Sequence, residues 1–259
     1  MKIWVLSDLH LEFGVPFVQQ APPDADVLVC AGDLLTRGIV PSIEWLARHI
    51  DPSLPVVFVA GNHEFYGGAL QEGLREAREA TSRYPNLHFL ENDAVDISGV
   101  RFIGGTLWTD FRLSGDDPQF AMTAAQSGMN DFRKIKFSKV PFQKFKPIHA
   151  YRRHMETRAF LASALTIAGD RKTVVVTHHA PSCRSISPDF RNDPLSACYA
   201  SDLEALIAET QPALWVHGHV HHRNDYLLGT CRVVSNPKGY PGEGSGFDAA
   251  FIAEIGATS

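Results

Sequence analysis

Eight polar side chains with metal-ligating chemistry follow short apolar segments of the chain. They are Asp8, His10, Asp33, Asn62, His63, His178, His219 and His221. Oxygen and imidazole ligands without a thiolate suit ions such as Mn, Fe or Zn. Eight such groups exceed what one ion needs. Two ions that share a bridging carboxylate would use most of them.

The apolar segments that precede these residues are the elements that must position them. Each is rich in β-branched or aromatic residues and has the length of a buried strand. The segments read KIWVL, DVLVCAG, PVVFVAG, KTVVVT and ALWV. Their nearly continuous hydrophobicity predicts strands that are covered on both faces. Because ligands bind beyond the carboxyl ends of strands in open α/β sheets, these strand ends are predicted to form one site.

Helices are predicted between these strands, and the alternation indicates an α/β protein. The predicted helices cover residues 41–50, 66–83, 147–169 and 199–210. Two further β stretches, at about 95–105 and 226–234, have the character of hairpins and predict a second sheet.

Five motifs occur in order over residues 8–221. They are Asp8-x-His10, Gly32-Asp33, Gly61-Asn62-His63-Glu64, His178 and Gly218-His219-x-His221. Each motif alone is weak, but together they make the chain resemble the calcineurin-like metallophosphoesterase family. The resemblance implies an α/β fold, namely a four-layer α/β/β/α sandwich of two mixed sheets flanked by helices. It also implies a dinuclear metal centre.

The resemblance assigns a role to each motif residue. Asp8, His10 and His221 would hold the first ion, and Asn62, His178 and His219 would hold the second. Asp33 would bridge the two ions together with a water or hydroxide. His63 would be the catalytic residue, which stabilises or protonates the leaving oxygen rather than binding metal. Two divalent or mixed-valence ions are expected, with Mn, Fe or Zn favoured and Mg also open.

The physical chemistry of such a centre fits hydrolysis of a phosphate ester. Two ions about 3.5–4 Å apart can bind both a nucleophile and the phosphoryl oxygens, and they acidify water near neutral pH. We predict a phosphodiesterase that acts on small diesters such as cyclic nucleotides by attack of metal-activated hydroxide. A phosphomonoesterase or a nuclease of the same family is the alternative. From another class, a non-catalytic binding scaffold is disfavoured because it would be expected to have lost these residues.

The segment from Gly32 to Gly38 departs from a related pattern. It resembles the GDxxDRG segment of protein serine/threonine phosphatases, but Thr36 replaces the second Asp, which pairs there with the catalytic histidine. The partner of His63 is therefore open, with Glu64 and His179 as candidates. Arg37 matches a phosphate-contacting arginine and is a candidate for substrate binding, with a solvated loop arginine as the alternative. His179 is the other candidate for substrate binding.

Residues 109–146 show little periodicity, and the overlapping segment 132–153 contains eight Lys or Arg and no acidic residue. We predict one domain over 1–259 with an irregular basic insert at about 109–153. In one interpretation the insert is a solvated, positively charged face. In the other it caps the metals and attracts anionic or nucleotide substrates.

Composition limits the partners. The chain has 259 residues, 44% of them apolar, and a formal charge of −5. A small phosphate ester is the expected partner, because an acidic surface disfavours extended nucleic acid. The first apolar run is too short for a membrane span or a signal peptide, and the four cysteines lack CxxC spacing. A cytoplasmic protein without membrane association is expected, and nothing in the sequence indicates an oligomeric state.

One segment, ALWVHGHVHHRND at 213–225, contains four of the twelve histidines. Alternation along an extended backbone would place His217, His219 and His221 on one side and His222 on the other. The family motif selects His219 and His221 as ligands, so the other two are predicted to be neighbours of the site. A tight loop over 236–242 is expected near its rim.

Overall fold

The computed structural model describes residues 1–17, 23–113, 115, 117–169, 171–191 and 193–256. The strands are β1 (Lys2–Leu6), β2 (Val27–Cys30), β3 (Val56–Phe58), β4 (Leu87–Phe89), β5 (Asp93–Ile97), β6 (Val100–Gly105), β7 (Lys136–Ser138), β8 (Gln143–Lys144), β9 (Thr173–Thr177), β10 (Leu214–His217), β11 (Asn224–Leu228), β12 (Cys231–Ser235) and β13 (Ile252–Glu254). The α-helices are α1 (Ile39–His49), α2 (Leu70–Thr81), α3 (Pro118–Gly128), α4 (Asp131–Lys134), α5 (Pro147–Ala168) and α6 (Glu204–Thr210).

Most of the strands form two mixed sheets. The first has the order β13-β1-β2-β3-β4, in which β13 is antiparallel to β1 and the other pairs are parallel. The second has the order β11-β12-β10-β9-β6-β5. Its four central strands are parallel, and the edge strands β11 and β5 pair antiparallel through hairpins. The two predicted hairpins therefore belong to a second sheet, as expected.

The apolar character of the strands follows from burial on both faces. In β1, Ile3 and Val5 point into the core between the two sheets, where Val176 of β9 also lies. The alternate residues Trp4 and Leu6 belong to the core on the outer face of the first sheet. A strand with two buried faces needs a hydrophobic residue at every position, which is why these segments do not alternate with polar residues.

Helices cover the outer face of each sheet. Trp4 shares its core with Ile43 of α1 and Leu74 of α2. Trp215 of β10 shares another core with Leu161 of α5, and α6 contributes to the same cluster. The layers are thus helices, sheet, sheet and helices. The predicted α/β fold, a four-layer sandwich, is confirmed.

The predicted helix positions are largely correct, with one late start. Helices α1, α2 and α5 occupy the predicted segments to within a few residues. A helix is expected from residue 199, but α6 begins at Glu204. The reason is that Pro194–Cys198 forms a short 3-10 helix and Ala200 then makes a strand-like bridge with Ala180.

The insert is more regular than its sequence predicts. It contains α3, α4 and the hairpin of β7 and β8, and its last residues lie in α5. Asp117 caps α3 by accepting the backbone N–H of Gln119, and Pro118 occupies the first turn, where its missing N–H costs nothing. The expectation of an irregular segment is therefore wrong for much of 109–153. The assignment of 1–259 to one domain stays a prediction.

Across the described residues, no helix combines the length and the apolar character that crossing a bilayer requires. The four cysteines are free thiols, and these are Cys30, Cys183, Cys198 and Cys231.

Candidate metal centre

The residues singled out in the sequence follow the carboxyl ends of five strands. Asp8 and His10 follow β1, Asp33 follows β2, Asn62 and His63 follow β3, His178 follows β9, and His219 and His221 follow β10. Several of them have left-handed backbone, with φ between 45° and 69°. The residues in this conformation are Asp8, His10, Asp33, His219 and His221. Such a backbone is costly outside glycine and is typical of places where a side chain must be aimed.

The first cluster brings together Asp8, His10 and His221. The Nε2 atoms of His10 and His221 lie 2.9 Å apart, and Asp8 Oδ1 lies 3.6 Å from His221 Nε2. Each imidazole donates its Nδ1–H to a carboxylate. His10 donates to Glu12 at 3.2 Å, and His221 donates to Glu243 at 2.8 Å. The two Nε2 atoms therefore face each other.

This arrangement fits a metal ion. Two lone pairs 2.9 Å apart repel unless a proton or a cation lies between them. Ligand nitrogens at about 2.1 Å from a six-coordinate ion would be about 3 Å apart. The carboxylates on the Nδ1 atoms are the supporting groups that metal-bound histidines usually have.

The second cluster brings together Asn62, His178 and His219. His178 Nε2 lies 3.0 Å from Asn62 Oδ1 and 3.2 Å from His219 Nδ1. His178 donates its Nδ1–H to the Ala31 carbonyl at 2.7 Å, which directs Nε2 toward the site. In addition, Asp33, His178 and His219 can offer ligand atoms within 4.8 Å of one another.

The orientation of the Asn62 amide is fixed by the insert. Asn62 Nδ2 donates to Asp131 Oδ1 at 2.8 Å and lies 3.2 Å from the Tyr66 hydroxyl, which itself donates to Asp131 at 2.7 Å. With its nitrogen engaged there, the amide presents Oδ1 to His178. Asp131 is the first residue of α4, so the insert determines how this proposed ligand points.

Asp33 lies between the two clusters. Its Oδ2 is 3.8 Å from His10 Nε2 and 3.5 Å from His178 Nε2, while its Oδ1 accepts the backbone N–H of His63 at 2.8 Å. Burial opposes the charged form of Asp33, but the imidazoles of His178 and His63 hold its pKa well below the usual value. Asp33 is therefore a carboxylate that faces both clusters.

The imidazoles respond to the same charges. Burial favours neutral His178, but Asp33 and Asp8 raise its pKa to about 10. Burial also favours neutral His221, whose pKa Asp8 raises to about 9. The negative charge that attracts a proton to these nitrogens also attracts a divalent cation, which must displace that proton to bind.

Glu64 does not orient His63, so that candidate partner is wrong. Its buried carboxylate accepts the backbone N–H groups of Asp33, Leu34 and Gly61 at 2.7–2.9 Å, and the Ser42 hydroxyl at 2.9 Å. These contacts tie the loop after β2 to the loop after β3. Glu64 therefore holds the backbone that carries the proposed ligands.

The partner of His63 is Glu12. His63 Nδ1 lies 2.8 Å from Glu12 Oε1, and its Nε2 lies 3.1 Å from the Tyr240 hydroxyl. Burial opposes the charged form of His63, but Asp33 and Glu12 raise its pKa above the usual value. His63 also lines the cavity beside the two clusters, so an imidazole whose charged form is favoured by these carboxylates faces the space where a substrate would lie.

His179 lies behind the site. Its Nδ1 contacts the Thr106 carbonyl at 3.1 Å, and its ring centroid lies 4.3 Å from that of His219. Burial and the charge of His178 lower its pKa to about 3, so it is neutral. It is not among the described residues that line the cavity, so its role in substrate binding stays a prediction without a supporting contact. The ring nitrogens of His63 contact Glu12 and Tyr240, so the alternative that His179 orients His63 is wrong.

The histidine-rich segment does not alternate as predicted. Strand β10 ends at His217, whose Nε2 contacts Ser185 Oγ at 2.9 Å rather than a residue of either cluster. His219 and His221 then adopt left-handed backbone and enter different clusters. His222 is exposed and lines the cavity. The prediction that His217 and His222 are neighbours of the site rather than ligands is correct. The prediction of an extended backbone through this segment is wrong, because the strand stops at residue 217.

A cavity of about 650 Å³ opens beside the two clusters. Its walls include Asp33, Asn62, His63, Tyr66, Gly128, Met129, Asn130, Ile186, Ser187, Phe190, Asp193, Leu195, Ser196, Tyr199, His219, Val220, His221, His222, Tyr240, Glu243 and Gly244. Tyr240 comes from the loop over 236–242 that the sequence placed near the rim. Its ring centroid lies 4.6 Å from that of His10 and 4.6 Å from that of His221.

Arg37 and the basic insert contribute little to this cavity. The Arg37 side chain is exposed and does not line the cavity, judged over the described residues. Its predicted role in substrate binding stays a prediction without a supporting contact. From the insert, Gly128, Met129 and Asn130 line the cavity, but its lysines and arginines do not, again among the residues described. The insert therefore covers part of the site without presenting its positive charge there.

Comparison with known proteins identifies the family of the chain and agrees with the fold. The chain belongs to the calcineurin-like phosphoesterase family, whose model matches residues 1–223. An uncharacterized protein of Acanthamoeba polyphaga mimivirus, L509, is 22% identical over 278 residues, which cover 96% of this chain and 95% of that protein. The crystal structure of a phosphopantetheinyl hydrolase from Mycobacterium tuberculosis matches with a TM-score of 0.66 at 17% identity. The match covers 93% of this chain and 90% of the hydrolase chain. Family and site together support a phosphoesterase of a metal-dependent kind.

Proposed function

We propose that this protein hydrolyses small phosphodiesters with two metal ions held on either side of Asp33. The observation that carries the proposal is the position of the Asp33 carboxylate. Its Oδ2 lies within 3.8 Å of His10 Nε2 and 3.5 Å of His178 Nε2, so one oxygen faces both ligand clusters. A shared carboxylate of this kind is typical of two-metal phosphoesterase sites.

The two ions would be bound by separate sets of ligands. The first set is Asp8, His10 and His221, the second is Asn62, His178 and His219, and Asp33 serves both. These oxygen and nitrogen donors favour Mn, Fe or Zn, with Mg also possible. When bound, such ions supply an acidified water to attack phosphorus and neutralise the charge of the phosphoryl oxygens.

His63 would donate a proton to the leaving oxygen from its Nε2 atom. Glu12 accepts the Nδ1–H and stabilises the charged imidazole, as a general acid requires. The backbone N–H of His63 donates to Asp33, which keeps the ring beside the metal centre. The Tyr240 hydroxyl lies 3.1 Å from Nε2, and a substrate oxygen would take that position.

Small diesters such as cyclic nucleotides are the favoured substrates, because the cavity of about 650 Å³ holds more than a phosphate group. Phosphomonoesters and nucleic acid are the alternatives. The name of the mycobacterial neighbour adds phosphopantetheinyl esters to the compounds worth testing.

The test is a comparison of bis-p-nitrophenyl phosphate, p-nitrophenyl phosphate and cyclic nucleotides with added Mn²⁺, Fe²⁺, Zn²⁺ or Mg²⁺. We expect metal-dependent turnover with a higher kcat/KM for the diesters. A wide preference for the monoester would contradict the substrate class. Inactivity towards every ester with all four metals would contradict catalysis and favour a binding scaffold.

A further inference from the structure

The cavity has a continuous apolar wall. Ile186 and Val220 pack with Tyr199 in one cluster, and Met129 and Leu195 pack in a second cluster that also includes Tyr199. All five side chains line the cavity. Tyr199 belongs to both clusters and therefore links the two halves of the wall.

This wall extends to the proposed metal centre. The Tyr199 ring stacks on His219 with centroids 4.6 Å apart and an interplanar angle of 27°. Phe190 also lines the cavity, and 61% of its surface is exposed, so it offers an aromatic face that is not yet covered. A phosphate held at the metals would therefore place its organic group against apolar and aromatic side chains.

The charges around the cavity are unfavourable for a second anion. Besides Asp33, the described lining includes the carboxylates of Asp193 and Glu243, and it includes no Lys or Arg. In the sequence, the residues outside the described ranges include no Lys or Arg. Beyond the metals, histidines are thus the only described lining residues that can carry positive charge.

Two basic side chains next to the lining make other contacts. Lys134 places its ammonium 4.9 Å from the centre of the Tyr66 ring. The Nε of Arg191 donates to the Ile186 carbonyl at 3.4 Å. Both side chains lie outside the described lining of the cavity. A second phosphate or a carboxylate on the substrate would therefore meet fixed carboxylates without an arginine or lysine to pair with.

We propose that this cavity selects phosphate esters whose organic arm is uncharged and apolar or aromatic, and that it discriminates against a second anionic group. The selection rests on the proposed function, because the metals must hold the phosphate. A singly charged diester with an aromatic arm fits these walls. Nucleoside polyphosphates and extended nucleic acid do not fit them.

Binding of non-hydrolysable phosphonates tests the selection without turnover. The probes are methylphosphonate, phenylphosphonate and 4-carboxyphenylphosphonate, titrated by calorimetry into protein loaded with Mn²⁺. We expect phenylphosphonate to bind about 10-fold more tightly than methylphosphonate, because a ring is removed from water against the wall. The added carboxylate should cancel most of that gain.

Substitutions at Phe190 test whether this side chain causes the preference for phenylphosphonate. Phe190→Ala should lower the phenyl-to-methyl affinity ratio about 3-fold, and Phe190→Leu should restore much of it. Phe142→Ala is the matched control, because Phe142 is also 61% exposed but lies outside the described cavity lining. Phe190→Lys should favour the carboxyphenyl probe over the phenyl probe relative to the unmodified protein.

The outcomes separate this proposal from the proposed function. Equal affinity for all three probes, tightest binding of the carboxyphenyl probe, or no binding of any probe would overturn the selection. If phenylphosphonate binds with the expected preference while no ester is hydrolysed with any metal, the selection stands and the proposed function fails.

Discussion

Glu12 Oε1 lies 2.8 Å from His63 Nδ1, and this contact joins the proposed general acid to a half-buried carboxylate. The same oxygen lies 3.2 Å from the Nδ1 atom of His10. Burial opposes the charge of Glu12, but its hydrogen bonds with His10 and His63 lower its pKa to about 2. One carboxylate therefore supports both a proposed metal ligand and the proposed proton donor.

Glu12→Gln should reduce catalysis by weakening the charged form of His63. Because Glu12 helps to raise the pKa of His63, its loss lowers that pKa. A general acid is active below its pKa, so the basic limb of the pH profile of kcat/KM should move to lower pH. We expect kcat to fall about 10-fold for esters with poor leaving groups and less for p-nitrophenyl esters.

The matched control for this variant is Glu243→Gln. Glu243 accepts from His221 Nδ1 at 2.8 Å, so it supports a proposed ligand as Glu12 does, but its described hydrogen bonds do not include His63. The control should alter metal affinity without the change in leaving-group dependence. An equal loss for all leaving groups in Glu12→Gln would indicate that Glu12 acts only on metal binding.

His63→Ala should separate proton donation from metal binding. The ring nitrogens of His63 contact Glu12 and Tyr240, and its backbone N–H donates to the Asp33 carboxylate. A histidine at this position is not needed to fill either proposed ligand set. We expect kcat to fall roughly 10²- to 10⁴-fold with metal content near that of the unmodified protein. Metal content by mass spectrometry and kcat with bis-p-nitrophenyl phosphate provide the measurement, and loss of an ion in step with activity would assign His63 to the ligands.

Much of the site could be predicted because its signals are local. Each proposed ligand stands directly after an apolar strand segment, and parallel strands bring their carboxyl ends to one edge. The cores on both faces of β1, with Trp4 on one side and Val5 on the other, explain why the strands themselves could be read from continuous hydrophobicity. The family motifs then specified which polar residues belong together.

The supporting residues could not be predicted, because their contacts join distant parts of the chain. Asp131 meets Asn62 across 69 positions, and Tyr240 meets His63 across 177 positions. Glu12 had a local signal, since it follows His10 by two residues, but only the short helix at Leu11–Phe13 turns it toward His63. The alternation expected for the histidine segment failed because left-handed residues after β10 have no periodic signature.

Asp33→Asn should weaken both ions together. The carboxylate faces both clusters, and an amide has one oxygen acceptor and no negative charge to offer. We expect Mn²⁺ affinity to fall at least about 10-fold at each of two sites, with activity lost in parallel. Calorimetric titration of protein stripped of metal measures both steps. Full metal content and activity in this variant would show that the bridging assignment is wrong.

Asp131→Ala should weaken one ion more than the other. Asp131 accepts from Asn62 Nδ2, so its removal frees the amide to rotate and turn Oδ1 away from His178. The loss of such a supporting group typically reduces metal affinity about 10- to 100-fold. In a calorimetric metal titration, we expect this loss of affinity for the ion bound by His178 and His219. The affinity for the other ion should be nearly unchanged.

Two variants control for indirect effects of this change. Tyr66→Phe removes the hydroxyl that donates to Asp131 and lies 3.2 Å from Asn62 Nδ2, but it leaves the contact between Asn62 and Asp131. It should therefore have a smaller effect on that step. Asn130→Ala changes the neighbouring exposed residue and should leave the metal titration unaltered. An equal weakening of both steps in Asp131→Ala would mean that the insert stabilises the whole centre rather than the Asn62 side chain.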